Sequence, residues 1–181
     1  MDLGARQAAS AALVERLVSL PAFDAAPVVL LYAALGAEID PGALAAAAWQ
    51  RGKEVRRPAS AELPPSWTTV EPPPGAMVGS AGPRGSGGSG ILVVVPGVAF
   101  DATGRRLGRG RGYYDRALAE LRRAGAVTAV GIAYELQLVA ELPHEAWDEP
   151  VDLIVTERRV LQCRAAVTDA RATHATVGGA R

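Results

Sequence analysis

Residues 91–116 read ILVVVPGVAFDATGRRLGRGRGYYDR. The apolar run at 91–95 stops at Pro96 and Gly97. A short apolar run bounded by turn residues is the pattern of a strand buried on both faces. The loop that follows carries Gly104, Gly108, Gly110 and Gly112 and also Arg105, Arg106, Arg109 and Arg111. It ends in YYDRALAELRR, which predicts a helix. The order is therefore buried strand, basic glycine loop, helix. Glycine lets a backbone approach a ligand closely and take positive φ. A helix start offers free N–H groups and the positive end of its dipole. Arginine forks suit phosphate and carboxylate. These properties together predict an anion site, most simply one for nucleotide phosphates.

The flanking sequence places this unit in a larger pattern. Residues 8–20 predict a helix with an apolar face through Leu13, Leu17 and Leu20, ended by Pro21. Residues 27–31 predict a strand. Asp40 can cap, and Pro41 suits the first position of, a helix over GALAAAAWQR that Gly52 closes. Residues 54–57 predict a short strand ended by Pro58. Further on, 126–134 predicts a strand, 135–142 a short helix ended by Pro143, and 151–156 a buried strand. Strands alternating with helices define an α/β domain with a mostly parallel sheet. Such sheets bind ligands beyond the carboxyl ends of their strands. The tips beyond Tyr32, Val95, Tyr134 and Thr156 are thus where chemistry is expected.

Residues 59–90 contain EPPPG and AGPRGSGGSG and show no periodicity, which predicts an irregular, partly flexible connection. Neither flank has enough strands to stand alone, so the expectation is one domain over 1–163. Residues 164–181 are expected to fray.

Composition narrows the class. The chain has 181 residues, 49% of them hydrophobic, with Lys+Arg and Asp+Glu balanced at 19 each. That balance gives no reason to expect nucleic acid or an acidic membrane surface. The lone Cys163 excludes an intrachain disulfide and a cysteine-built metal site. No stretch is apolar for long enough to span a bilayer, and the N-terminus lacks a signal core. The expectation is a cytoplasmic monomer.

Two common nucleotide motifs do not fit. The run from Gly108 to Gly112 superficially resembles a dinucleotide fingerprint, but a long loop separates it from the strand and its third glycine falls too early. No Gly-Lys-Ser/Thr follows, which excludes a Walker loop. Asp115 in the first helical turn complements the dipole, and beside a phosphate loop it also offers what Mg²⁺ needs. Asp148 is either a turn residue or a second carboxylate. Glu38, in the loop after the first strand, reads from the residues alone as an exposed acid on the ligand side. Tyr113 and Tyr114 read as core or rim aromatics, His144 and His174 as exposed polar residues, and Cys163 as a packed thiol.

The run VVVPGVAFDATGRRLGRGRGYYDR closely resembles the signature of 5-formyltetrahydrofolate cyclo-ligases (5,10-methenyltetrahydrofolate synthetases). The stretches LPAFDAAPVVLLYAALGAEIDPGALAAAAWQRGKEV and LPHEAWDEPVDLIVTER are similar to that family's first strand, acidic loop and helix, and to its final loop and strand. The resemblance implies a Rossmann-like three-layer fold and an ATP- and Mg²⁺-dependent closure of 5-formyltetrahydrofolate to 5,10-methenyltetrahydrofolate, with ADP and phosphate released. It implies that Arg106, Leu107, Gly108, Arg109, Gly110, Arg111, Gly112, Tyr113 and Tyr114 embrace ATP, with Arg109 and Arg111 facing developing negative charge. Asp115 and Asp148 would hold Mg²⁺, Glu38 would hydrogen-bond the pterin, and Tyr114 would shape the junction of the two substrates. Trp67, in the weakly matching stretch 58–90, would stand in for an aromatic folate contact. The resemblance further leads to the expectation of an amino-terminal helix with a Lys and an Arg that contact ATP, which the residues present are not expected to supply, Arg6 included. Trp147 occupies the place of a His common before the final-loop Asp. Two rival readings are a relative that binds nucleotide or folate without turnover and a kinase-like enzyme using the same loop.

Overall fold

The computed structural model describes residues 3–36, 38–60, 62–79 and 90–163. The expected tail at 164–181 and the glycine–serine run at 80–89 lie outside the described residues. In chain order the helices are α1 (Leu3–Val18), α2 (Pro21–Ala25), α3 (Gly42–Gln50) and α4 (Tyr113–Ala124). The strands are β1 (Val28–Leu30), β2 (Glu54–Pro58), β3 (Trp67–Thr69), β4 (Ile91–Pro96) and β5 (Ala99–Asp101). They continue with β6 (Arg106–Leu107), β7 (Val127–Ile132), β8 (Leu138–Val139), β9 (Leu153–Val155) and β10 (Val160–Gln162).

Seven strands form one sheet in the order β10-β9-β7-β4-β1-β2-β3, and β6-β5-β8 form a small second sheet. The five central strands are parallel, while β3 and β10 run antiparallel at the two edges. β4 shows why the run at 91–95 is apolar throughout. Leu92 and Val94 enter the core under α1–α3, and Val93 and Val95 enter the core under α4. Side chains alternate faces along a strand, so a central strand covered on both sides needs apolar residues at every position. Ala9, Leu13 and Leu17 of α1 fill the first core at helical spacing, and Leu118 of α4 fills the second. Burying a Leu of this kind contributes about 1.5–3 kcal/mol. The result is the expected α/β three-layer fold with a mostly parallel sheet.

Phe100 of β5 is fully buried and lies between two glycines. A Cβ at Gly97 would come 2.6 Å from Phe100 Cε2, and one at Gly131 would come 2.6 Å from Cε1. The small sheet is thereby pressed onto β4 and β7. Gly131→Ala is expected to destabilise the fold by about 1–3 kcal/mol, as overpacking of a close-packed interior does. Urea melts of the two proteins check this; equal midpoints would contradict the packing argument.

Several local expectations change. Pro21 ends α1 and also begins α2, because a fixed φ suits a first helical position. The stretch 59–90 is not wholly irregular: Trp67 pairs Pro58 and Thr69 pairs Arg56 along the open edge of β2. The segment 97–112 is not a continuous loop, since β5 and β6 pair within it. The helix expected over 135–142 is a single tight turn at Glu135–Gln137 followed by β8. β10 was not expected at all. α2 spans five residues and the other elements two or three, too few for a period to show, and the strands among them form because a neighbouring edge supplies the hydrogen bonds.

Candidate active site

The chain leaves β1 toward β2 on one side and continues from β4 toward β7 and β9 on the other. The order reverses between β1 and β4, and the loops beyond their carboxyl ends diverge there. A ligand cleft is expected at such a point, and one of about 390 Å³ is present. Tyr32 lines it after β1, Gly97 and Val98 after β4, and Tyr134 after β7. Three of the four strand tips marked in the sequence, those beyond Tyr32, Val95 and Tyr134, thus border the cleft, whereas Thr156 does not line it. Glu38, Arg109 and Arg6 bring charge to a wall otherwise made largely of apolar groups, including exposed Leu35 and Leu136.

Glu38 and Arg109 come from loops far apart in sequence and meet across this cleft. Arg109 Nη2 donates to Glu38 Oε1 at 2.8 Å and to the Leu35 carbonyl at 3.2 Å. Glu38 Oε2 accepts the Leu35 N–H at 2.9 Å, which holds the carboxylate in place. Arg109 is 57% exposed against 19% for Glu38. An ion pair this open is worth about 0–1 kcal/mol, so a ligand that satisfies either partner can separate them.

The rest of the basic loop divides into buried and open parts. Arg106 is only 7% exposed and donates to both carboxylate oxygens of Asp115 at 3.1 Å. Its guanidinium lies 5.6 Å from the centre of the Tyr114 ring. Gly108 packs close beside it: a Cβ there would fall 2.5 Å from Arg106 Nη1 and would make the guanidinium shift. Gly112 takes φ +60° at the start of α4, a left-handed conformation that favours glycine. Leu107 pairs with Ala99 and is exposed, whereas Arg111 and Gly110 stand open to solvent at the tip.

Aromatic rings continue the site away from the cleft. Trp67 meets Tyr113 edge-on at 6.5 Å, and Tyr113 meets Tyr114 at 5.3 Å. The Tyr113 hydroxyl and Arg106 Nε are buried without a hydrogen-bond partner among the described residues. Burial first, then Tyr113, pushes the Tyr114 hydroxyl well above the usual phenol range; burial first, then Glu38, does the same at Tyr32. Both phenols therefore stay protonated at neutral pH, and Tyr32 donates to the Ile39 carbonyl. Cys163 is pushed up to about 12, by burial and then by Asp152 and Asp101, so it is no nucleophile.

Asp115 and Asp148 lie on adjoining segments. The Glu149 N–H reaches Asp115 Oδ1 at 3.4 Å, and Asp148 Oδ2 accepts the Glu145 N–H at 2.8 Å. Arg122 of α4 fastens the same loop through Glu149 at 2.5 Å and the Pro150 carbonyl at 2.8 Å. No group of three or more metal-ligating side chains occurs among the described residues. Arg6, set aside in the sequence, lines the cleft. It lies one helical turn before Ser10, whose hydroxyl meets Tyr134 Oη at 3.0 Å. That spacing turns Arg6 to the cleft; starting the helix at residue 8 hid it.

The mostly parallel sheet, the cleft at its switch point and the arginine–glycine loop beside that cleft define an α/β domain of the doubly wound class. The chain belongs to the 5-formyltetrahydrofolate cyclo-ligase family, whose family model matches residues 1–157. It is 44% identical to the 5-formyltetrahydrofolate cyclo-ligase of Escherichia coli (strain K12) over 69 residues, 38% of this chain and 37% of that protein. The Haemophilus influenzae cyclo-ligase is 45% identical over 65 residues, 35% of this chain and 34% of that protein. These matches thus span little more than a third of either relative. Over nearly its whole length the chain is similar to the NMR structure of Aquifex aeolicus 5,10-methenyltetrahydrofolate synthetase. That likeness has 33% identity and a TM-score of 0.71, covering 96% of this chain and 92% of the other. A Mycoplasma pneumoniae 5,10-methenyltetrahydrofolate synthetase shares the fold at a TM-score of 0.65 and 21% identity, covering 87% and 90%. Among the described residues no helix is long and apolar enough to cross a membrane.

Proposed function

We propose that this protein closes 5-formyltetrahydrofolate to 5,10-methenyltetrahydrofolate at the expense of ATP, releasing ADP and phosphate. The observation that carries this is the meeting of Glu38 and Arg109 in one cleft at 2.8 Å. A carboxylate suits the N–H donors of a pterin edge, and a guanidinium suits a phosphate. A site that holds both within one contact can bring a folate formyl oxygen to a γ-phosphate.

In this reading the formyl oxygen attacks the γ-phosphorus and ADP leaves. The oxygen, a poor leaving group, thereby becomes a phosphate ester. The second folate nitrogen attacks the activated carbon, the C–O bond breaks, phosphate departs, and that nitrogen loses its proton. Arg109 and exposed Arg111 face the charge that spreads over the transferring phosphoryl oxygens. Gly108, Gly110 and Gly112 allow the backbone to follow them. Positioning and fixed charge are the protein's main contributions to phosphoryl transfer. Apolar Leu35, Val98 and Leu136 flank the folate, Tyr114 shapes the junction, and the Trp67 ring extends the aromatic wall. Asp115 and Asp148, on adjoining segments, would supply two carboxylates to Mg²⁺, Asp115 only once its ion pair with Arg106 opens, with phosphate and water to complete the set. When bound, Mg²⁺ would neutralise charge on the phosphates.

The test combines the protein with 5-formyltetrahydrofolate, ATP and Mg²⁺ and follows the absorbance of the methenyl product. Product that depends on all three supports the proposal; none, from protein that still binds ATP, refutes it. Glu38→Ala is expected to raise the KM for the folate by about 10- to 100-fold, the scale of a lost charge-assisted hydrogen bond, with the KM for ATP little changed. Steady-state kinetics in each substrate check this, and an unchanged folate KM would remove Glu38 from the pterin.

A further inference from the structure

We propose that Gln137 is a positioning residue for the arginine loop, an inference that rests on the reading of that loop as the phosphate site. β4 and β7 are paired as far as Pro96 and Ile132 and then part. The two segments are next joined by the parallel pairing of Phe100 with Leu138 in β5 and β8, which leaves a gap in the ladder at 97–99 and 133–137 beside the cleft. The Gln137 amide bridges this gap, just before the β5–β8 pairing begins. Its Oε1 accepts the Tyr134 N–H at 2.8 Å. Its Nε2 donates to two successive carbonyls, Gly97 at 3.0 Å and Val98 at 3.1 Å. A primary amide has two N–H donors and both are used.

Val98 is held from the other side as well, its N–H donating to the Leu107 carbonyl at 2.8 Å. Leu107 is followed directly by Gly108 and Arg109. A single chain of hydrogen bonds thus runs from the turn after β7, through Gln137 and Val98, to the stem that carries Arg109. The turn itself is anchored: the Glu135 N–H donates to Glu157 Oε2 at 2.8 Å, and Tyr134 Oη meets Ser10. Gln137 therefore transmits a fixed frame to a loop whose tip is otherwise open to solvent. Small displacements of catalytic cations cost large factors in rate.

Gln137→Glu separates this role from simple support of the turn. The carboxylate keeps the acceptor for Tyr134 but loses both donors and faces two carbonyl oxygens. Gln137→Ala removes every contact. Both variants should unfold cooperatively, with kcat/KM for ATP lowered about tenfold or more and the KM for folate changed less than about twofold. A residue that merely supports the turn would instead leave kinetics near wild type in Gln137→Glu and lower only the melting temperature. Kinetics within twofold of wild type in the folded Gln137→Glu protein would overturn the proposal. Direct titration with ATP and Mg²⁺ keeps the two readings apart. A wild type that binds ATP without turnover refutes the cyclo-ligase reading, and the same titration of Gln137→Glu then decides the positioning role: weaker binding upholds it, equal binding overturns it.

Discussion

Arg109→Ala is expected to lower kcat/KM for ATP by on the order of 10²–10³-fold, the range found when one preorganised charge on a transition state is removed. Melting temperature should hardly move. Arg109 is 57% exposed, and its contacts are one open ion pair with Glu38 and one backbone carbonyl. Deleting it leaves Glu38 with its bond from the Leu35 N–H, so no buried charge is stranded. Arg109→Lys should recover only part of the loss, because an ammonium keeps the charge and loses the planar fork. Arg111→Ala should likewise affect ATP use far more than folding, since Arg111 stands exposed at the loop tip. ATP kinetics unchanged in Arg109→Ala would remove this loop from the proposed chemistry.

Asp101→Ala should give the largest loss of stability, about 3–5 kcal/mol, the scale for breaking a buried network of charge-assisted hydrogen bonds. Asp101 is 1% exposed and accepts from every direction. Oδ1 takes the Thr103 hydroxyl at 2.6 Å, the Thr103 N–H at 2.9 Å and the Arg105 N–H at 3.3 Å. Oδ2 takes the Leu142 N–H at 3.0 Å. Burial by itself would raise the carboxyl; the Thr103 hydroxyl and the Leu142, Thr103 and Arg105 N–H groups outweigh it and hold the group below its ordinary 3.8. A depressed carboxylate contributes stability that is fully present above the unfolded pKa and lost as pH falls through the folded one. Wild type should therefore exceed Asp101→Asn in stability at neutral pH, with the gap narrowing below about pH 4. Denaturant melts at several pH values measure it, and a gap that is constant with pH would contradict the assignment.

Asp101 also shows what the sequence hid. It lies within the motif that led to the family, yet nothing in PGVAFD distinguishes an organising carboxylate from a loop acid. Its four partners come from the next turn and from Leu142, a long way down the chain. By contrast, β4 was legible because a central strand imposes apolar residues on both faces, and the side of the cleft was legible because parallel strands bring their carboxyl-end loops together, while the point between β1 and β4 needed the strand order. Gly108 and Gly112 were legible as special positions, although their reasons, an arginine packed against one and a left-handed helix start at the other, needed coordinates. Arg106 and Asp115 were each read as facing ligands; that they pair with each other could not be inferred from a nine-residue separation across a turn. Strands such as β3 and β10 depend on an edge that only the assembled sheet provides.

The most direct test of the account follows the formyl oxygen itself. Substrate carrying heavy oxygen in the formyl group is turned over with ATP and Mg²⁺, and the released phosphate is analysed by mass. Transfer of that oxygen to phosphorus places the label in inorganic phosphate, one atom per methenyl product formed. Label recovered in water, with unlabelled phosphate, would mean that the oxygen leaves without being phosphorylated and would contradict the proposed chemistry at this cleft.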